Sequence, residues 1–435
     1  MVLDLRTPSV DGAAIKTPIV ESETTVCLQL AHFLDDRQTA VTFFIMKYYA
    51  CVVACWALLA VVGRATPAKI EGLEQTQEIG DVNDREPRLF FQFFTITPDS
   101  CTTNINTQGI CYSATDCKNL GGTASGSCAV GFGVCCTFSR SCESSTNVSQ
   151  TLFQNPGYPA ATTTVLDACR LKVYPVNSNI CQIRLDLTDF SFPQPDIEGE
   201  CVTDFLQVIG GVTNTPLICG ENFGQHLYVD VSPDFGSVTI NVVASAPGAK
   251  WNISVTQIEC NSENRAPAGC LQYFTNTKGT IKSFNYDATT FPNSTPPTAT
   301  TQLASQVYGV CIKPQSGFCS VSYKKTSGLV NDYTFSTTGD ASIYPPGDPL
   351  PGKAGSADCT TDYLMILGGT ITDANYVVIS ADRYCGFNFP SKVETSVQPF
   401  VLYVVTDAQE TTYADSQLID GPNVGFSVDY RMQAC

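Results

Sequence analysis

The chain has 435 residues, 43% of them hydrophobic, which is too long for one ordinary domain and too apolar for a disordered polymer. It sets 24 Lys and Arg against 41 Asp and Glu, giving a net charge of −17 and a pI of about 4.4. No basic run or RNA-binding motif offsets that acidity, which excludes a nucleic-acid partner, because phosphate binding needs clustered cations.

Residues 1–45 have no clear pattern and read as an extension of the gene start or a disordered lead. From Met46 one lysine, Lys47, precedes an apolar run that ends in Gly63-Arg64-Ala65, which predicts a signal peptide over 46–65 cleaved before Thr66. The rival reading is an uncleaved membrane anchor over 41–62, long enough for a bilayer but interrupted by Lys47. Residues 66–100 form an acidic linker. Within it, Arg85-Glu86-Pro87-Arg88 fits an R-x-x-R processing pattern that would release a propeptide. Phe90-Phe91-Gln92-Phe93-Phe94 would be adhesive if exposed, and is expected to pack onto the modules that follow.

Cysteine separates the compartments. Of 21, three (Cys27, Cys51, Cys55) precede residue 66, and an even 18 follow from Cys101. A reducing cytosol would hold so many thiols only as metal ligands. The mature region has no CxxC pair and one histidine, His226, so disulfides in a secreted, extracellular protein are expected.

The first block, 101–136, is compact: Cys101, Cys111, Cys117, Cys128 and the adjacent Cys135 and Cys136. So short a segment buries little core, and each crosslink must contribute roughly 2–4 kcal/mol by restricting the unfolded chain. Six cysteines allow 15 pairings, and sequence does not choose among them.

The remainder divides into two copies of one pattern, 142–260 and 270–435. Cys142, Cys169, Cys181, Cys201, Cys219 and Cys260 are matched by Cys270, Cys311, Cys319, Cys359, Cys385 and Cys435. Cys201-Val202-Thr203-Asp204-Phe205-Leu206 answers Cys359-Thr360-Thr361-Asp362-Tyr363-Leu364 in the same order. Trp251 and Phe426 precede the closing cysteines by the same interval. Alternation around Leu206 and the β-branched runs 237–243 and 400–405 predict strands, with no amphipathic helix after residue 66. The predicted fold is all-β: two antiparallel sandwiches behind a small disulfide-rich module.

Phe153-Gln154-Asn155-Pro156-Gly157-Tyr158-Pro159, the C-x-x-D-[FY]-L stretches, Arg383-Tyr384-Cys385-Gly386 and the closing strand 425–430 resemble the CUB family over residues 142–435. That resemblance implies jelly-roll sandwiches and an extracellular role in recognising proteins or carbohydrates. It also implies the pairs Cys142–Cys169, Cys201–Cys219, Cys270–Cys311 and Cys359–Cys385. Cys181–Cys260 and Cys319–Cys435 are left as a third bridge per copy, as in extended CUB domains of arthropod secreted proteins. The 101–136 block is similar to the clip-type modules of the same animals.

Catalysis is not expected. His226 lacks a GDSGG-like or G-x-S-x-G partner and reads as a surface or packing residue at a strand edge; HExxH, P-loop and dinucleotide motifs are absent. No cofactor is required. The resemblance raises calcium alone, because many CUB domains hold it with converging loop carboxylates. Asp362 and Asp407 match two of these in the second copy. Asp204 matches in the first, where Asp196 could replace an upstream Glu and Ser245 stands at the position of Asp407. Asn147, Asn252 and Asn293 begin glycosylation sequons. The expected function is non-enzymatic extracellular binding, with a non-catalytic regulator of a protease cascade, docking through the clip-like block, or a matrix component as alternatives. The number of chains in the assembly is left open.

Overall fold

Residues whose side chains alternate between apolar and polar can bury one face only by pairing into sheets and stacking them. A computed structural model shows how. It describes residues 96–435 apart from Ile197, 233–235, 287–300, 328–334, 338–352, 373–376, Phe387 and 409–422. The signal segment, the processing pattern, the Phe90–Phe94 cluster and Asn293 lie outside the described residues. No described helix is long and apolar enough to cross a membrane.

The cysteine-rich module is a sheet of β1 (Ser100–Thr102), β2 (Gln108–Tyr112), β3 (Thr123–Cys128) and β4 (Gly133–Thr137), in the order β1-β2-β4-β3. Its bridges are Cys101–Cys135, Cys111–Cys128 and Cys117–Cys136. The expectation of no helix is corrected by α1 (Ala114–Asn119). The Ser113 hydroxyl caps it, accepting the Asp116 N–H at 3.0 Å. Six residues are too few to show a helical period and would not hold alone. This turn persists because buried Cys117 is bonded to Cys136.

The first sandwich contains β5 (Ser139–Arg140), β6 (Ser144–Thr146), β7 (Gln150–Gln154), β8 (Leu166–Val173) and β9 (Ile180–Ser191). It continues with β10 (Phe205–Ile209), β11 (His226–Asp230), β12 (Val238–Ala244) and β13 (Lys250–Glu259). Its sheets run β10-β12-β8-β6 and β11-β9-β13-β7-β5.

The second sandwich contains β14 (Cys270–Phe274), β15 (Lys278–Lys282), β16 (Val307–Ile312), β17 (Phe318–Lys325), β18 (Phe335–Ser336) and β19 (Lys353–Ala354). Then follow β20 (Tyr363–Ile366), β21 (Thr370–Thr372), β22 (Val378–Ser380) and β23 (Arg383–Cys385). β24 (Val393–Thr395), β25 (Phe400–Val405) and β26 (Gly425–Ala434) complete it. Its sheets run β14-β16-β25-β20-β23-β19 and β15-β26-β17-β24-β21-β22, with β18 on β26.

Eight strands of the first sandwich have counterparts in the same order in the second. The path β6-β8-β12-β10 has the order of β14-β16-β25-β20, and β7-β13-β9-β11 that of β15-β26-β17-β24. Their bridges fall at matching places: Cys142–Cys169, Cys181–Cys260 and Cys201–Cys219, then Cys270–Cys311, Cys319–Cys435 and Cys359–Cys385.

Most pairs are antiparallel as predicted, but β5/β7, β6/β8 and β14/β16 are parallel. For β6 and β14 the reason is how the chain enters each sandwich. The incoming strand arrives with a cysteine, Cys142 or Cys270, bonded to Cys169 of β8 or Cys311 of β16, and is laid alongside its neighbour without a hairpin. In the core, fully buried Trp251 packs on Phe153 and Phe192 at ring distances of 5.8 and 5.9 Å. Its counterpart Phe426 is buried beside Phe335.

Candidate functional site

The loop carboxylates singled out from sequence follow one rule in both copies. Asp204 Oδ1 accepts the Ser245 N–H at 2.7 Å, and Asp362 Oδ1 accepts the Asp407 N–H at 2.8 Å. Each aspartate therefore clamps the turn after the late strand, β12 or β25, which is why Ser245 and Asp407 occupy equivalent positions.

The surroundings differ. Asp204 Oδ2 also accepts the hydroxyls of Ser245 at 2.8 Å and Thr203 at 2.7 Å. Asp196 Oδ1 accepts the N–H groups of Glu198 and Glu200, closing its own loop. Glu200 in turn accepts the Ser305 hydroxyl at 2.9 Å, and the Gly199 carbonyl accepts the Ala304 N–H at 2.9 Å. Glu200 and Gly199 of the first sandwich's acidic loop are thus held by the second. In the second copy Asp362 is buried, and Gln302 Nε2 lies 3.4 Å from its Oδ2. Asp362 and Asp407 are brought together, but calcium takes six to eight oxygens. Among the described residues no three His, Cys, Asp or Glu converge to hold a metal.

The densest polar construction lies where the sandwiches meet. β11 and β14 are edge strands of their respective sheets, and they face each other. Leu227 belongs to the main core, whereas His226 and Tyr228 reach the opposite side and pack on Phe274 and Tyr273, at ring distances of 5.0 and 6.0 Å. His226 Nε2 accepts the Tyr273 N–H at 3.0 Å. Burial above all, with the Arg184 charge, lowers the His226 pKa to about 4; the Asp186 carboxylate offsets this only in part. Its acceptor nitrogen is taken by main chain, so it is a packing residue and not a general base. Arg184 is itself held by Asp186 and donates to the Tyr228 hydroxyl at 2.8 Å.

Asn285 is the second clasp. Its Oδ1 accepts the Glu221 N–H at 2.8 Å, and its Nδ2 donates to Gln194 Oε1 at 2.8 Å and the Thr301 carbonyl at 2.7 Å. Its own N–H donates to Asn222 Oδ1 at 2.7 Å. Gly220 makes room: a Cβ there would lie 1.9 Å from Asn285 Oδ1. Gln225 Nε2 donates to the Ser283 carbonyl at 2.9 Å and its Oε1 accepts from Gln272 at 3.0 Å. Sequence reasoning missed Asn285, Gln225 and Gln272. The available signal was polar residues at positions that the structure buries.

Of the sequons, Asn147 is exposed between β6 and β7. Asn252 is half-buried in β13, and its Oδ1 accepts from Gln154 Nε2 at 3.2 Å.

These features define a disulfide-stapled tandem of β-sandwiches. More particularly, residues 267–433, the span of the second sandwich, match the family described as Animal CUB domain. CUB domains generally mediate protein interactions in extracellular proteins and are generally non-catalytic. No curated protein matches the chain. Among solved structures it is similar to the CUB1-EGF-CUB2 domains of rat MASP-1, at 14% identity over 66% of this chain and 100% of that one, with TM-score 0.22. The corresponding domain of human MASP-1/3 gives 14%, 66%, 100% and 0.21. The full extracellular region of zebrafish Gpr126/Adgrg6 gives 11% identity over 68% of this chain and 37% of that one, with TM-score 0.24.

Proposed function

We propose that this chain is a secreted, non-enzymatic recognition protein that presents loops of two CUB-type sandwiches to an extracellular protein or carbohydrate. The reading of the first sandwich as a second CUB domain is supported by a shared order of four strands in each sheet and by matching bridges. The observation that carries the proposal is the junction. His226 on Tyr273 and Asn285 on Asn222 hold the two sandwiches together through main-chain hydrogen bonds. A partner touching both then spends little entropy on orienting them. Secretion follows from the predicted signal peptide over 46–65, whereas the anchor over 41–62 would hold the same domains at a cell surface.

Affinity capture from extracellular fluid, repeated pairwise with purified components, tests this. A matrix, cell-surface or carbohydrate partner is expected, and turnover of a substrate in a broad hydrolase panel would overturn it. A second reading, docking to protease zymogens through the clip-like module, is favoured by one feature. The loop after β3 holds Ala129 and Val130 at φ 45° and 55°, leaving Val130 fully exposed. Retention of zymogens would select that reading. Calcium is proposed for the second sandwich only, through Asp362 and Asp407, and calorimetry showing no heat on adding Ca²⁺ would remove it.

A further inference from the structure

The junction carries a half-open cleft of about 330 Å³ whose walls come from both sandwiches. Val212, Thr213, Asn214 and Asp230 contribute from the first, Leu271 and Val307 from the second. Its volume lies at the low end of the range for small-ligand sites, about 300–1,000 Å³, and suits one long side chain. The wall on the second sandwich is fixed by close backbone approach: a Cβ at Gly309 would lie 2.7 Å from the Gly269 carbonyl oxygen.

Asp230 is built into this lining. Its N–H donates to Thr213 Oγ at 2.8 Å, its Oδ1 accepts from Gln182 Nε2 at 2.9 Å, and its Oδ2 lies 3.4 Å from Thr213 Oγ. Gln182 is anchored in turn, accepting the Ala266 N–H at 2.8 Å. A carboxylate has about four lone-pair sites, so this one keeps acceptor capacity. The ion pairs Arg184–Asp186, Lys250–Asp189 and Lys392–Glu394 do not use Asp230. Beside that acceptor, Val212 and Val307 are 62% and 68% exposed, an apolar rim without cover.

An acceptor with aliphatic walls is the complement of a cationic head on an aliphatic stem. The net charge of −17 draws such groups toward the chain. We propose that this cleft takes a lysine or arginine side chain presented by a basic segment of a partner protein. The inference rests on the extracellular-recognition reading and names a site for it.

The test uses the secreted protein and the peptides acetyl-Ala-Arg-Ala-amide and acetyl-Ala-Lys-Ala-amide, with the norleucine analogue as control. The basic peptides are expected to shift the methyl resonances of Val212, Leu271 and Val307, and the norleucine peptide to leave them in place. Asp230→Asn keeps an acceptor for Gln182 and should weaken binding roughly tenfold. Val212→Lys changes an exposed rim residue and should abolish binding without affecting the fold. Equal binding of the norleucine peptide, or unchanged affinity in both variants, would overturn the proposal. Partner capture that survives both substitutions would sink the cleft and leave the broader function standing.

Discussion

His226 Nε2 accepts the peptide N–H of Tyr273 at 3.0 Å across the boundary between the sandwiches. A side chain of one sandwich thereby satisfies an edge strand of the other, where an open N–H would otherwise invite pairing with another chain. The bond also holds the imidazole neutral, since only the unprotonated nitrogen can accept.

That neutrality makes the junction sensitive to acid. The folded pKa of about 4 lies below the ordinary value of about 6.5, so the unfolded chain binds more protons between them. The His226 contribution is full above about pH 6.5 and is lost as pH falls toward 4, on the order of 3 kcal/mol in all. His226→Gln retains an acceptor without titrating. Urea unfolding of the two proteins from pH 7 to 4 should show the steeper loss in the wild type. An imidazole titrating near 6.5 in the folded protein would refute this.

Asn285→Ala empties a buried position of three side-chain hydrogen bonds, to the Glu221 N–H, Gln194 Oε1 and the Thr301 carbonyl. A loss of about 2–3 kcal/mol is expected, with the two sandwiches moving more freely. Denaturant titration measures the first and small-angle scattering the second. An unchanged scattering profile would mean that Asn285 is not a clasp.

The bridges should differ in value because they close loops of different length. Cys319–Cys435 spans 116 residues and Cys201–Cys219 spans 18. Loop-closure entropy assigns about 5 kcal/mol to the first and about 3 kcal/mol to the second. Paired Cys→Ala variants compared by denaturant unfolding give the order, and a costlier loss at 201/219 would contradict the entropic account.

Val130→Gly should stabilise the cysteine-rich module. A β-branched residue at φ 55° is strained by about 1–2 kcal/mol, and full exposure means no contact is lost. Glycine relieves that strain at some cost in unfolded-state entropy, leaving a gain of about 0.5–1 kcal/mol. A lower melting temperature in the variant would show that Val130 makes a contact that matters.

What the sequence by itself determined was the all-β class and the disulfide chemistry. An even set of 18 late cysteines, 12 of them in two matched runs, with alternation around Leu206 and a β-branched run at 400–405, needs only neighbouring residues to be read. The short helix over Ala114–Asn119 was beyond that reading, because its cap and its bridge to Cys136 supply what periodicity lacks. The pairing within 101–136 was equally hidden, since it depends on which strands lie side by side.

The tertiary structure alone decided how the repeated units meet. Asn285 and Asn222 are 63 positions apart, His226 and Tyr273 are 47, and nothing local marks them as partners. Burial turns those polar residues from solvated surface into clasps, and the cleft at Asp230 exists because two edge strands face each other across a fixed gap. Periodicity is a property of one segment, whereas an interface is a property of two that only folding brings together.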